Sequence, residues 1–168
     1  MKKVLLLGNA ISLAGCVLMV AIGFLKKKEQ ILGAQCVQFA LMGAGNLVLG
    51  AMAGVISNGV SIVRNLVLTR VEDKAWVKVV FILVQTALTL MFGGSGLIEW
   101  LPVIAVVVYT WFLDLKNPVA FKLMIIGLQV LWVVYDFYYR NYVAFSFDLF
   151  TIASTTIGIF MIRREAKE

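Results

Sequence analysis

GAMAGVISNGVSIVRNLVLTR, Gly50 to Arg70, is an apolar run crossed by a polar stripe. Ser57, Ser61, Arg64 and Asn65 recur at three- and four-residue spacing, so a helix of 3.6 residues per turn sets them on one face, with Asn58 beside it. No period-two alternation competes with this pattern. The flanking residues are Val, Ile, Leu, Ala and Gly, which suit lipid. A polar stripe on a lipid-bounded helix has to face protein or water.

The rest of the chain has the same character. Its 168 residues are 62% hydrophobic and only 14% charged, with mean hydropathy +0.97, far above the apolar content of soluble domains. Apolar runs near the roughly 20 residues needed to cross hydrocarbon fall at Val4–Leu25, Ile31–Leu49, Ala53–Thr69, Trp76–Phe92, Leu97–Leu113, Val119–Tyr138 and Ala144–Ile162. Lipid-facing strands would leave backbone groups unsatisfied. The expected fold class is an all-α polytopic membrane protein with seven transmembrane helices.

Charge supplies the orientation. Lys26, Lys27, Lys28, Arg70, Lys74, Lys78, Lys116, Lys122, Arg163, Arg164 and Lys167 fall on one side of the seven spans, and Lys2, Lys3 and Arg140 on the other. Eleven against three predicts an outside N-terminus and a cytoplasmic C-terminus in a bacterial inner membrane. The net charge of +6 is thereby accounted for without nucleic acid. Leu13-Ala14-Gly15-Cys16 resembles a lipoprotein cleavage site, but the apolar run continues past Cys16 to Leu25, so the segment is expected to stay attached as the first helix. Cys16 and Cys36 both fall inside spans and read as packed thiols.

The charged hairpin FLKKKEQILG overlays FLDLKNPVAF, bringing Phe24 onto Phe112 at an offset of about 88. The same offset carries helices one to three onto five to seven. Direct repetition of a three-helix unit would insert the second copy upside down, and a fourth helix restores it. Residues 1–70 are thus expected to form a first three-helix bundle, 71–96 a linker helix, and 97–168 a second bundle parallel to the first.

GAMAGVISNGVSIVRNLVLTR, EWLPVIAVVVYTW, LWVVYDFYY and FDLFTIASTTIGIFMIRRE together resemble the YgjV family of bacterial inner-membrane proteins, small seven-helix proteins. That family is similar in helix plan to the SWEET sugar transporters and the PnuC vitamin transporters, which implies a solute path between two three-helix bundles. The Pro-Gln hinge pairs usual in SWEET-like proteins do not occur here; Pro102 falls in the fifth span and Pro118 before the sixth.

Six residues are the candidates for a solute contact: Asn58, Ser61, Arg64 and Asn65 on the third helix, Trp132 on the sixth and Asp148 on the seventh. Arg64 lies about six residues, roughly 9 Å, from the basic end of its span, so snorkelling competes with an inward contact. The expectation is that Arg64 faces the space between the bundles near Asn58 and Asn65, with Asp148 reachable only by full extension or through water. Asp148 and Asn58 correspond within two residues in the overlay; helix-to-helix hydrogen bonding is their plainer role. Trp132 is deep enough to be a stacking wall, whereas Tyr138, Tyr139 and Tyr142 belong to an interfacial belt. Gly43, Gly45, Gly50 and Gly54 are expected to bring the second and third helices close.

With no histidine, phosphate loop or nucleophile elbow, the chain is expected not to be an enzyme and to need no cofactor or metal. Its expected partners are the lipid bilayer and a small polar solute, with self-association into a homo-oligomer left open. The expected function is transport or facilitated passage of that solute. A non-transporting membrane subunit or sensor is the alternative.

Overall fold

The computed structural model describes residues 2–22, 28–68, 75–94, 96–112 and 115–165. They form α1 (Lys2–Ile22), α2 (Lys28–Leu49), α3 (Met52–Leu68), α4 (Ala75–Phe92), a 3₁₀ turn (Leu97–Glu99), α5 (Trp100–Trp111), α6 (Pro118–Tyr138) and α7 (Tyr142–Glu165). The basic residues Lys26, Lys27, Arg70, Lys74 and Lys167 lie outside the described residues.

Five helices, α1, α2, α4, α6 and α7, are long and apolar enough to cross a membrane. The other two are shorter than a full span: α3 has 17 residues, about 25 Å at helical rise, and α5 only 12. Leu97–Glu99, read from sequence as the start of the fifth span, is a 3₁₀ turn instead. It follows Gly93, Gly94 (φ 92) and Gly96, which carry the chain out of α4 through a conformation most residues avoid.

Neither proline is a mid-span hinge. Pro102 lies in the first turn of α5 and Pro118 opens α6, positions where no intrahelical N–H bond is forfeited. Asn117 caps α6, accepting from the amides of Val119 (3.0 Å) and Ala120 (3.1 Å).

Two turns have the same hydrogen-bond pattern. At the end of α2, Gly50 N donates to Leu47 O (3.1 Å) and Ala51 N to Asn46 O (2.8 Å); at the end of α6, Arg140 N donates to Phe137 O (3.1 Å) and Asn141 N to Asp136 O (2.8 Å). This is a Schellman closure, with Gly50 (φ 78) and Arg140 (φ 58) in the left-handed position. Gly50 and Arg140 are 90 residues apart, as are the starts of α2 and α6 (28 and 118) and of α3 and α7 (52 and 142). The register is therefore 90, two more than the overlay of the charged hairpins suggests.

Consecutive helices pack on one another from α1 to α3 and from α5 to α7; α3 also meets α5, and α7 meets α1, closing a circuit of six. α4 lies against α3 and α5. The surface is apolar, with Leu6, Leu90, Met91, Leu97, Phe150 and Phe160 each more than 60% exposed, while Gln85, Asn46, Asn65 and Asn141 are among the largest fully buried side chains. Lipid supplies the solvent for the former, and the helix interfaces supply partners for the latter.

The glycines meet the sequence expectation in part. Gly45 sits against α1, where a Cβ would run into Ser12 Oγ and come within 3.1 Å of Gly8 O. Gly54 of α3 faces Asn46 of α2 and the Tyr135 ring, and Gly43 of α2 abuts Asn58 of α3, so these two bring α2 and α3 close as expected.

Candidate functional site

The polar stripe of α3 turns inward: Ser57, Asn58, Ser61, Arg64 and Asn65 are all buried, while Val63 and Leu66 on the opposite face are exposed. Arg64 is only 4% exposed and does not snorkel. Its Nη1 donates to Thr110 Oγ1 on α5 (3.1 Å), and Nε and Nη2 fork onto Asn65 Oδ1 (3.4 and 3.3 Å). The guanidinium carbon lies 5.1 Å from the centre of the Tyr109 ring, within cation–π range. Asn65 passes the network to α2 by donating to Gln35 Oε1 (2.9 Å). One guanidinium thus ties α2, α3 and α5 together near the end of the helices that bears Lys78, Lys116 and Lys122.

Toward the other end, Gln85 of α4 donates to Ser57 Oγ (2.8 Å), and Asn58 returns its amide to Gly54 O in its own helix (2.8 Å). Ser61 is buried beside them. Trp132 is half-buried and meets Tyr135 edge-on at 5.8 Å, packing with the cluster of Ala51, Ala53 and Tyr135.

Around the two Schellman turns lies a second polar cluster. Gln129 and Asp136 are seven residues apart on α6 and share a face; Asp148 on α7 accepts a hydrogen bond from Gln129. Asn141 uses its whole amide here. Its Oδ1 caps α7 at Ala144 N (3.4 Å), and its Nδ2 donates to Asn46 Oδ1 on α2 (3.3 Å). Tyr135 OH accepts from Gly54 N (2.7 Å), joining α6 to α3. Asn9 of α1 bridges the α6–α7 turn, donating to Arg140 O (3.0 Å) and accepting from Val143 N (3.0 Å). Tyr139 donates to Glu99, so this tyrosine is tied to the 3₁₀ turn, whereas Tyr138 and Tyr142 are exposed as a belt requires.

The six sequence candidates therefore divide. Ser61, Arg64, Asn65 and Asn58 line one inward face; Asp148 belongs to the turn-end cluster, with Gln129 as its described partner; Trp132 packs against Tyr135. Sequence reasoning did not single out Asn46, Gln129, Asn141, Thr110 or Gln35. The seven-residue spacing of Gln129 and Asp136, and the position of Asn141 at the N-cap of α7, were the available signals. A groove of about 360 Å³ opens at the turn end between Val4, Leu5, Leu49, Tyr138, Tyr139 and Arg140.

Comparison with known proteins adds one finding. No curated protein and no solved structure matches the chain. The family model Imp-YgjV, bacterial inner membrane protein, matches residues 6–166. With the apolar helices and inward polar faces already described, that match over nearly the whole chain shows that it belongs to the Imp-YgjV family of bacterial inner membrane proteins.

Proposed function

We propose that the protein is a transporter or facilitator of a small polar solute, which moves along a path between two parallel three-helix bundles, α1–α3 and α5–α7, with α4 as linker. The closed circuit of helices supports this plan, because α3 on α5 and α7 on α1 exchange under a half-turn that relates α1 to α5. The 90-residue spacing of the turns supports the same operation. The path would have its N-terminal end outside and its basic end in the cytoplasm.

The observation that carries the reading is the pair of buried polar clusters, one at each end of α3, connected by Ser57, Asn58 and Ser61. Five polar side chains on one face of α3 supply the polar lining that a path for a polar solute needs. Arg64, Asn65 and Thr110 offer donors and acceptors to a hydroxylated or anionic solute. A second reading, a non-transporting subunit, is favoured by the groove lying at the turn end rather than beside Asn58 or Arg64.

A thermal-shift screen of purified protein against small sugars, polyols and organic anions tests the proposal. A ligand at about 100 times its dissociation constant adds about 2.7 kcal/mol of stability. The expected result is a concentration-dependent stabilisation that Asn58→Ala weakens; no stabilisation by any solute class, or one indifferent to Asn58, favours the subunit reading.

A further inference from the structure

Among the described residues the turn end has three basic side chains, Lys2, Lys3 and Arg140, and all three are exposed. The acids of that end, Glu99, Asp136 and Asp148, are buried, so the charge that a ligand would meet there is cationic. None of the three cationic groups forms a hydrogen bond or an ion pair among the described residues. Basic residues are sparse on the outer side of a membrane protein. The fold gathers these three at one place. Arg140 lines the groove of about 360 Å³ between the start of α1, the end of α2 and the end of α6. Lys2 is three residues before Leu5, another lining residue, and so shares its face of α1, while Lys3 adjoins Val4 at the groove's edge.

Arg140 holds its position at a conformational disadvantage. Its φ of 58 is the left-handed position of a Schellman turn, which the matching turn fills with Gly50 (φ 78). A residue with a side chain is disfavoured there. The turn uses only the Arg140 backbone, whose N donates to Phe137 O (3.1 Å) and whose O accepts from Asn9 Nδ2 (3.0 Å). Glycine would make both bonds, so the fold gives the guanidinium no task. The rest of the groove has two characters. Tyr138, exposed at its rim, is the kind of ring that sits at headgroup level. Val4, Leu5 and Leu49 form an apolar wall, fixed where Leu49 lies over Gly8, at which a Cβ would come within 2.6 Å of Leu49 Cγ. A soluble anion has no use for that wall. A lipid matches both parts.

We propose that this groove binds one anionic phospholipid, its phosphate held by Arg140 with Lys2 and Lys3 and the start of its acyl chains laid against Val4, Leu5 and Leu49. The planar guanidinium matches two phosphate oxygens at once, and the lysines add point charges beside it. A zwitterionic lipid brings the same phosphate with a cation attached, which three unpaired cations repel, so the site selects a net negative headgroup. From the groove the exposed apolar surface of α1 continues through Leu6 and Leu7 into the hydrocarbon. The site is independent of the transport reading, because none of the polar stripe of α3 lines it.

Native mass spectrometry of the full chain in detergent, titrated with phosphatidylglycerol and with phosphatidylcholine, tests the site. The expected result is one phosphatidylglycerol bound about tenfold more tightly than phosphatidylcholine, the scale of one hydrogen bond to a charged group. In Arg140→Gly that preference is expected to vanish, while the unfolding midpoint in phosphatidylcholine is no lower than the parent's, since glycine suits the turn. No preference in the parent, or a preference kept in Arg140→Gly, overturns the proposal. Should that variant not fold, the double variant Lys2→Gln, Lys3→Gln in the exposed first turn of α1 serves instead: binding weakened about tenfold supports the site, and unchanged binding overturns it. Lys116→Gln, at the opposite end, is the control, and a preference lost there but kept in Arg140→Gly would place the lipid at the wrong end. Inorganic phosphate and glycerol phosphate separate the sources. Neither is expected to displace the lipid or raise the midpoint; stabilisation by either that depends on Arg140 would assign the groove to a soluble anion and overturn the lipid.

Discussion

Arg64→Lys is expected to destabilise the protein by about 2–3 kcal/mol, read as a lowered unfolding midpoint in detergent or lipid. A hydrogen bond to a charged group contributes about 1.5–3 kcal/mol, and Arg64 combines a bond to Thr110 with a fork onto Asn65. Lysine has a single ammonium on a different stem and cannot hold both while lying flat over Tyr109. The buried Lys that fails to find these partners also leaves Asn65 and Thr110 short of a donor. Were Arg64 merely reaching headgroups, lysine would substitute freely. An unchanged midpoint would therefore return Arg64 to the snorkelling role. Arg64→Met removes every one of these donors and is expected to cost at least as much as lysine, because Asn65 and Thr110 stay buried without a partner.

Gly45→Val is expected to cost about 1–3 kcal/mol or more, because overpacking at this site cannot be relieved by a side-chain shift. The atoms in the way include the Gly8 carbonyl oxygen at 3.1 Å and the Ser12 amide nitrogen at 3.3 Å, both belonging to the backbone of α1. The two helices would have to part, and with them the contact that seats Asn9 against the α6–α7 turn. Gly59→Ala is the control. A Cβ there meets nothing within 4 Å, and alanine gains up to about 1 kcal/mol in helix propensity. Thermal unfolding of the two variants side by side checks the pair of expectations; equal midpoints would show that α1 and α2 are not held by close backbone approach.

Helix positions were legible because lipid enforces a simple rule: apolar runs of sufficient length, interrupted by charge or glycine. The inward face of α3 was legible for the same reason in Ser61 and Asn65, whose short side chains stay inside the span, whereas the long Arg64 had the headgroups as an alternative. The length of α5 was not, because its apolar run continues through Leu97–Glu99 while the glycines before it impose a tighter turn. The register was misjudged by two residues. Matching Phe24 to Phe112 weighed loop residues, whereas the structural equivalence is held by the carbonyls of Asn46 and Asp136 in the two turns. Asp136 itself was hidden among tyrosines at a span end, where it looks interfacial. The chain reversal at Arg140, closed by the Asn141 amide on the Asp136 carbonyl oxygen, leaves it 2% exposed.

The central claim is that a polar solute passes between the two halves beside Asn58, and water access at that side chain tests it most directly. In a chain with Cys16 and Cys36 replaced by alanine, a single cysteine at position 58 is exposed to a membrane-impermeant thiol reagent from each side of sealed vesicles. The account predicts labelling from at least one side, slowed by any solute that stabilises the protein. A cysteine at position 58 that stays unlabelled from both sides, in protein that still folds and remains reactive once denatured, would mean a dry and permanently packed centre, and would contradict it.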